Sequence, residues 1–146
     1  TSIEARTWDL TEPPEFLAPS QFDRVLVDAP CSGLGVLRRN PETRWNRTTK
    51  DTKALAALQT QILDNIAPLV SPGGILLYSV CTFTTSETST VVTEFLERHK
   101  EYELDCLSRS LPEHWRELVG PDGLLHTFPH RHDGMDAFFA ARLRRR

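Results

Sequence analysis

The sequence predicts an α/β fold built on a doubly wound sheet. Short apolar runs rich in β-formers alternate with longer amphipathic helical patterns, which is the order of a layered α/β domain. The first clear strand is continuously apolar, as strands of the buried, parallel type are. The two best-defined strands each run out into a cysteine, at the carboxyl edge where such sheets bind ligands. With 146 residues and 39% hydrophobic content the chain can bury one core, so one compact domain is expected.

Taken in order, Ile3 to Trp8 alternates weakly and is expected as a strand, and "TEPPEFLAPSQ" after it reads as a Pro-rich surface loop. Arg24 to Ala29 contains Val25-Leu26-Val27 and is the first buried strand. From about Thr52 to Ala67, Leu55, Leu58, Ile62 and Ile66, with Leu69 beyond, recur at spacings of three and four and mark one helix face. Pro68 and "SPGG" end that helix, and Ile75 to Val80 is a second buried strand. Thr84 with Glu87 fits a capping box opening a helix whose apolar face includes Val91, Val92, Phe95 and Leu96. Tyr102 to Leu107 and "AFFAARL", residues 137–143, are expected as the last strands.

The three cysteines are odd in number and widely spaced, with no CxxC pair, which argues against a disulfide framework and a structural zinc site. A reducing, cytoplasmic setting follows. No apolar run approaches the roughly 18 residues of a membrane span, and "TSIEARTWDL" lacks the basic and apolar regions of a signal peptide. His126, His130 and His132 lie close enough for two imidazoles to meet, but Pro129 breaks any helix that would align them and no cysteine or acid pair completes a tetrahedral set. No metal is expected; the segment reads as a polar loop over the cleft.

Net charge is −3, yet between Arg38 and Lys53 six basic residues stand against two acidic ones, a local balance of +4. Arg38, Arg39, Arg44 and Arg47 surround Trp45, a possible stacking platform; the plainer reading is a solvated loop with Trp45 tucked onto the body.

The chemistry lies in "VDAPCSG", residues 27–33, and "YSVCT", residues 78–82, which occur in that order at the ends of successive strands, with the "SPGG" turn leading into the second. In this the chain resembles the catalytic domain of the RNA 5-methylcytosine methyltransferases: the bacterial Sun/Fmu-type small-subunit rRNA enzymes and the eukaryotic Nop2/Sun proteins. The resemblance runs from about Asp9 to the C-terminus. It implies a Rossmann-like class I methyltransferase sheet lacking its first strands, S-adenosylmethionine as cofactor and RNA, above all rRNA, as partner. C5 of cytosine is a poor nucleophile, so an enzyme that methylates it first adds a thiolate to C6. The resemblance implies that Cys81 is that nucleophile and that Cys31 assists proton removal or release.

Asp28, at the strand tip, has two possible tasks: facing the cofactor's amino-acid end, or hydrogen-bonding the cytosine edge near N3 and N4. Asp9, in "TWDL", matches an acid used beside the cofactor's adenine, or is a turn aspartate. Pro30 fixes the backbone so that Cys31 points into the cleft beside the cofactor, and Gly33 and Gly35 allow the tight turn that follows. Amino-group methyltransferases carry (D/N/S)PP(Y/F) at this strand end; "DAPC" puts a thiol where the aromatic shelf would stand and favours methylation of carbon. The basic loop then becomes an RNA-facing surface, and Cys106 is read as packing.

Two departures qualify the resemblance. The Gly-rich cofactor loop and an N-terminal RNA-binding region are not found, so residues 1–146 are expected to be the C-terminal portion of one methyltransferase domain, poor at binding cofactor alone. Near the end, Met135, Asp136 and Ala137 stand between the Gly134 and Phe138 that the family runs together, close after His132 and Asp133. Rival functions are a cysteine hydrolase using Cys31 or Cys81 with His132, and a non-catalytic RNA-binding or assembly module.

Overall fold

The computed structural model describes residues 3–146. Five strands form one sheet: β1 (Phe22–Asp28), β2 (Val70–Val80), β3 (Tyr102–Leu104), β4 (Leu125–Thr127) and β5 (Phe138–Arg145). The order is β1-β2-β5-β3, with β4 also paired to β5. β1 and β2 are parallel; β5 runs antiparallel to β2 on one side and to β3 and β4 on the other.

A parallel pair needs a long crossover, and helix α1 (Thr49–Ile66) supplies it between β1 and β2. It begins at Thr49, three residues before the expected start at about Thr52, because Thr48 and Asp51 form a reciprocal capping box: Asp51 accepts from the Thr48 N–H at 2.8 Å, and the Thr48 hydroxyl accepts from the Asp51 N–H at 3.3 Å. Helix α2 (Ser89–Arg98) follows β2. Both helices contribute to one core, in which Ile62, Leu63 and Ile66 of α1 and Val91, Val92 and Phe95 of α2 meet Val27, Leu76, Tyr78 and Val80 of the sheet. Each fully buried large side chain there stabilises the fold by about 1.5–3 kcal/mol relative to exposure. Alternation along β1 sends Leu26 to the opposite face, where it is 64% exposed.

Three expectations change. Ile3 to Trp8 forms no strand: its alternation is weak and no described strand edge pairs with it, so Trp8 instead stacks edge-on against Phe16 and donates its indole N–H to the Glu12 carbonyl. β2 starts at Val70, because Val70 pairs with Phe22 ahead of a register irregularity that absorbs "SPGG", with Gly73 at φ 77°. β3 stops at Leu104, while the short β4, too brief to show periodicity, lies beside β5 farther along the same edge. No described helix is long and apolar enough to cross a membrane.

Candidate active site

The parallel register sets Asp28 opposite Ser79, so β1 and β2 end at the same edge of the sheet. The ladder continues one step beyond β1, where the Ala29 N–H donates to the Ser79 carbonyl at 3.0 Å. Cys31 follows three residues after Asp28 and Cys81 one residue after Val80, and their sulfurs stand 3.3 Å apart. This is a non-bonded contact between free thiols, well beyond the roughly 2.05 Å of a disulfide. Two cysteines 50 residues apart thus occupy one point at the carboxyl edge of the sheet.

The loops carrying them are sutured together. The hydroxyls of Ser32 and Thr82, each the residue after a cysteine, are 2.9 Å apart and buried. The Gly35 N–H donates to the Cys81 carbonyl at 3.0 Å, and the Ala137 N–H donates to the Gly35 carbonyl at 2.9 Å. Gly33 takes φ 70° and makes the turn. Gly35 serves another purpose, because a Cβ there would lie 2.0 Å from the Ala137 carbonyl oxygen and 2.7 Å from that of Cys81. Burial, and after it the hydrogen bond that the Cys31 thiol donates to Cys81, pushes Cys31 up from 9.0 to about 12.

Asp28 is exposed at the tip of β1, with Oδ1 accepting from the Ser79 hydroxyl at 3.2 Å. The Pro30 carbonyl accepts from the Gln59 amide at 2.9 Å, which fixes the chain just before Cys31. Asp9 Oδ1 accepts from both the backbone and the hydroxyl of Thr11, at 2.9 and 2.7 Å, which holds its carboxyl below the usual range. That turn is tied to α1, since Asn65 and Gln61 donate to the carbonyls of Leu10 and Thr11. Asp9 therefore fills the turn role whatever else it binds.

In the basic loop, Trp45 is 79% exposed rather than tucked in, and the Arg44 guanidinium lies over its ring at 5.1 Å. Arg39 and Arg38 face Asp136 at 2.6 and 3.9 Å, so the residue standing between Gly134 and Phe138 anchors this loop. Arg47 turns inward and donates to the Ser32 carbonyl at 3.1 Å. Cys106 lies past the end of β3, partly buried, with its sulfur 3.0 Å from the Ser108 hydroxyl.

His132 accepts the Phe128 N–H on its Nδ1 at 2.9 Å and so braces its own loop. His126 lies 3.5 Å from Asp122 and stacks parallel to Phe128 at 6.1 Å. Among the described residues no imidazole hydrogen-bonds either of the paired thiols, and no group of three His, Cys, Asp or Glu could hold a metal ion.

Two side chains central to this edge carry no chemistry in the sequence pattern. Glu87 is fully buried: its carboxyl accepts from the Ser32 N–H at 2.8 Å, the Gln59 amide at 3.1 Å and the Thr84 hydroxyl at 2.7 Å. Neither bond of the expected capping box forms: the Thr84 hydroxyl donates to the Glu87 carboxyl, which reaches across to the other thiol loop. Gln59 is likewise fully buried. Its signal was present: Gln59 falls four residues after Leu55 and three before Ile62, a polar residue on the apolar stripe of α1.

Comparison with known proteins agrees with this geometry. The sequence model of the family described as 16S rRNA methyltransferase RsmB/F matches residues 1–144. A Bacillus subtilis protein named "Probable ribosomal RNA small subunit methyltransferase B" is 43% identical over all of this chain and 32% of its own length. The Thermus thermophilus ribosomal RNA small subunit methyltransferase B is 39% identical over 98% of this chain and 33% of its own. The crystal structure of NSun6 from Pyrococcus horikoshii, solved with SFG, superposes with a TM-score of 0.75 at 28% identity, over 96% of this chain and 34% of that one. The chain spans about a third of the length of the relatives it matches. With thiol motifs, sheet and sequence in agreement, the chain belongs to the 16S rRNA methyltransferase RsmB/F family.

Proposed function

We propose that this chain supplies the thiol-bearing part of an S-adenosylmethionine-dependent methyltransferase domain acting on C5 of a cytosine in RNA, most naturally rRNA. The observation that carries this reading is the pair of free thiols 3.3 Å apart at the carboxyl ends of adjacent parallel strands. A hydrolase needs one activated thiol with a base such as an imidazole, whereas addition to C6 followed by elimination needs a nucleophile with a proton-transfer group beside it, and a second thiol can be that group. The family match and the neighbour solved with SFG, an S-adenosylmethionine analogue, support the cofactor. Asp28 fits it from this side: an exposed carboxyl at the strand tip, steadied by Ser79, suits the ammonium of the donor's amino-acid end.

Cys81 attacks. Entering as a thiolate whose proton has gone to solvent, its sulfur bonds to C6 and the C5=C6 electron pair moves to C5, which would take the donor's methyl carbon as the bond from that carbon to the sulfonium sulfur breaks and its electron pair stays on sulfur. The C5 proton must then leave and the S–C6 bond break. Cys31 is favoured in its thiol form by burial. Lying 3.3 Å from the Cys81 sulfur, it passes its proton to that sulfur as the S–C6 bond breaks and takes up the C5 proton in exchange. The electron pair of the C5–H bond restores the C5=C6 double bond. Trp45, Arg44, Arg38 and Arg39 present the RNA surface, while Arg47 serves the site by holding Ser32. Exposing the base costs a few kcal/mol and favours unpaired RNA.

The test uses the full-length gene product. Cys81→Ala abolishes methylation. Cys31→Ala, incubated with S-adenosylmethionine and deproteinised rRNA, accumulates a covalent adduct on a denaturing gel, and the double variant forms none. An adduct with Cys81→Ala alone would reverse the two roles. Absence of any adduct, with RNA binding intact, would leave a non-catalytic RNA-binding module.

A further inference from the structure

Glu87 hydrogen-bonds neither sulfur, yet it is a buried charged group that ties one thiol loop to the other. It lies six residues after Cys81, and its carbonyl accepts from the buried Tyr78 hydroxyl at 2.7 Å, so its main chain is fixed to β2. Its carboxyl crosses to the other loop and accepts the Ser32 N–H at 2.8 Å. Gln59, from α1, donates both to that carboxyl at 3.1 Å and to the Pro30 carbonyl at 2.9 Å. The peptide groups before and after Cys31 are thereby clamped, one by Gln59 and the other by Glu87. Removing one partner leaves a buried polar group without its bond, which makes such a clamp stiff.

We infer that Glu87 is a positioning residue for the second half of the reaction: with Gln59 it holds the Cys31 backbone at the spacing from Cys81 that release requires. This rests on the two-thiol reading above. Attack by Cys81 does not need Cys31, whereas proton transfer between the sulfurs does. Loosening the clamp therefore slows release and leaves addition in place. A misplacement of about 1 Å at a reacting group costs on the order of 100-fold.

The experiment compares Glu87→Ala, Glu87→Gln and Gln59→Met in the full-length protein, with Cys31→Ala as reference. Glu87→Ala should lower kcat with the KM for S-adenosylmethionine little changed and accumulate the same denaturation-resistant RNA adduct as Cys31→Ala. Glu87→Gln should restore turnover and clear the adduct, since a glutamine still accepts the Ser32 N–H and can donate to Thr84. Gln59→Met, which keeps the acid and its bond from Ser32 but removes the amide that Gln59 donates to it and to Pro30, should accumulate adduct and decides the matter if Glu87→Ala does not fold. If Cys31→Ala traps an adduct while Glu87→Ala and Gln59→Met lose turnover without one, the positioning role is overturned and the two-thiol reading stands. If Cys31→Ala traps none, that reading fails first. A folded Glu87→Gln as slow as Glu87→Ala would also overturn the inference, because charge rather than placement would then be required.

Discussion

Replacing Gly35 by alanine adds one methyl group at the tightest point of the site. The new Cβ would stand 2.0 Å from the Ala137 carbonyl oxygen, 2.9 Å from the Ala137 carbonyl carbon and 2.7 Å from the Cys81 carbonyl oxygen. All three are backbone atoms, so no flexible side chain can move aside. Forcing a methyl into such a place costs about 1–3 kcal/mol. The shift that relieves it must also stretch the Gly35–Cys81 or the Ala137–Gly35 hydrogen bond, at about 1 kcal/mol. Gly35→Ala should therefore destabilise the protein by about 2–4 kcal/mol, the sum of those two costs. Methylation should also fall, because one of the two carbonyls crowded by the new methyl belongs to Cys81. Gly33→Ala is the control: its Cβ would meet only ordinary contacts, Thr43 Cγ2 at 3.9 Å and Val36 Cγ2 at 4.0 Å, so the left-handed φ of 70° alone resists, at roughly 1–2 kcal/mol. The assay is urea unfolding followed by tryptophan fluorescence, together with methyl transfer to rRNA measured where each variant is folded. A Gly35→Ala protein within about 0.5 kcal/mol of the parent, and equally active, would refute the reasoning.

The thiols should differ in their response to pH. Cys31 is raised from 9.0 to about 12, so the unfolded chain loses that proton first; the stability it contributes is complete below about pH 9 and is lost as pH rises towards 12. Iodoacetamide labelling read by mass spectrometry should find Cys31 slow at pH 8 and still accelerating above pH 10. Cys106, lowered by its hydrogen bond with Ser108, should label faster than Cys31 at pH 8, and the reverse order would contradict the assignment. Trp45→Ala, at a 79% exposed position, should leave stability within about 0.5 kcal/mol and weaken RNA binding in a filter assay by about 1–3 kcal/mol, the worth of one stacked base.

β1, β2, β5, the start of β3, both helices and the two cysteine motifs were legible in sequence because periodicity and strand-end chemistry are local properties, whereas Ile3 to Trp8 forms no strand and β4 is too short to carry a pattern. Val25 to Val27, the stripe of α1 and the run into Cys81 follow from side-chain spacing alone, and the motif order led to the family. Thr48 and Asp51 also lay in view as a capping pattern, overlooked because the apolar stripe begins later. What sequence could not decide is distance. That Cys31 and Cys81 meet at 3.3 Å depends on the parallel register of β1 and β2, a long-range pairing set by α1 packing onto the sheet. The same packing turned Glu87 from an apparent helix cap into a bridge between loops 55 residues apart, and placed Gln59 beneath Pro30. It also separated the arginines of the basic loop, drawing Arg47 into the site and pairing Arg39 with Asp136. A residue's type is written in the chain, but its partner at the far end of a hydrogen bond is chosen only when the elements between them have folded and closed the gap.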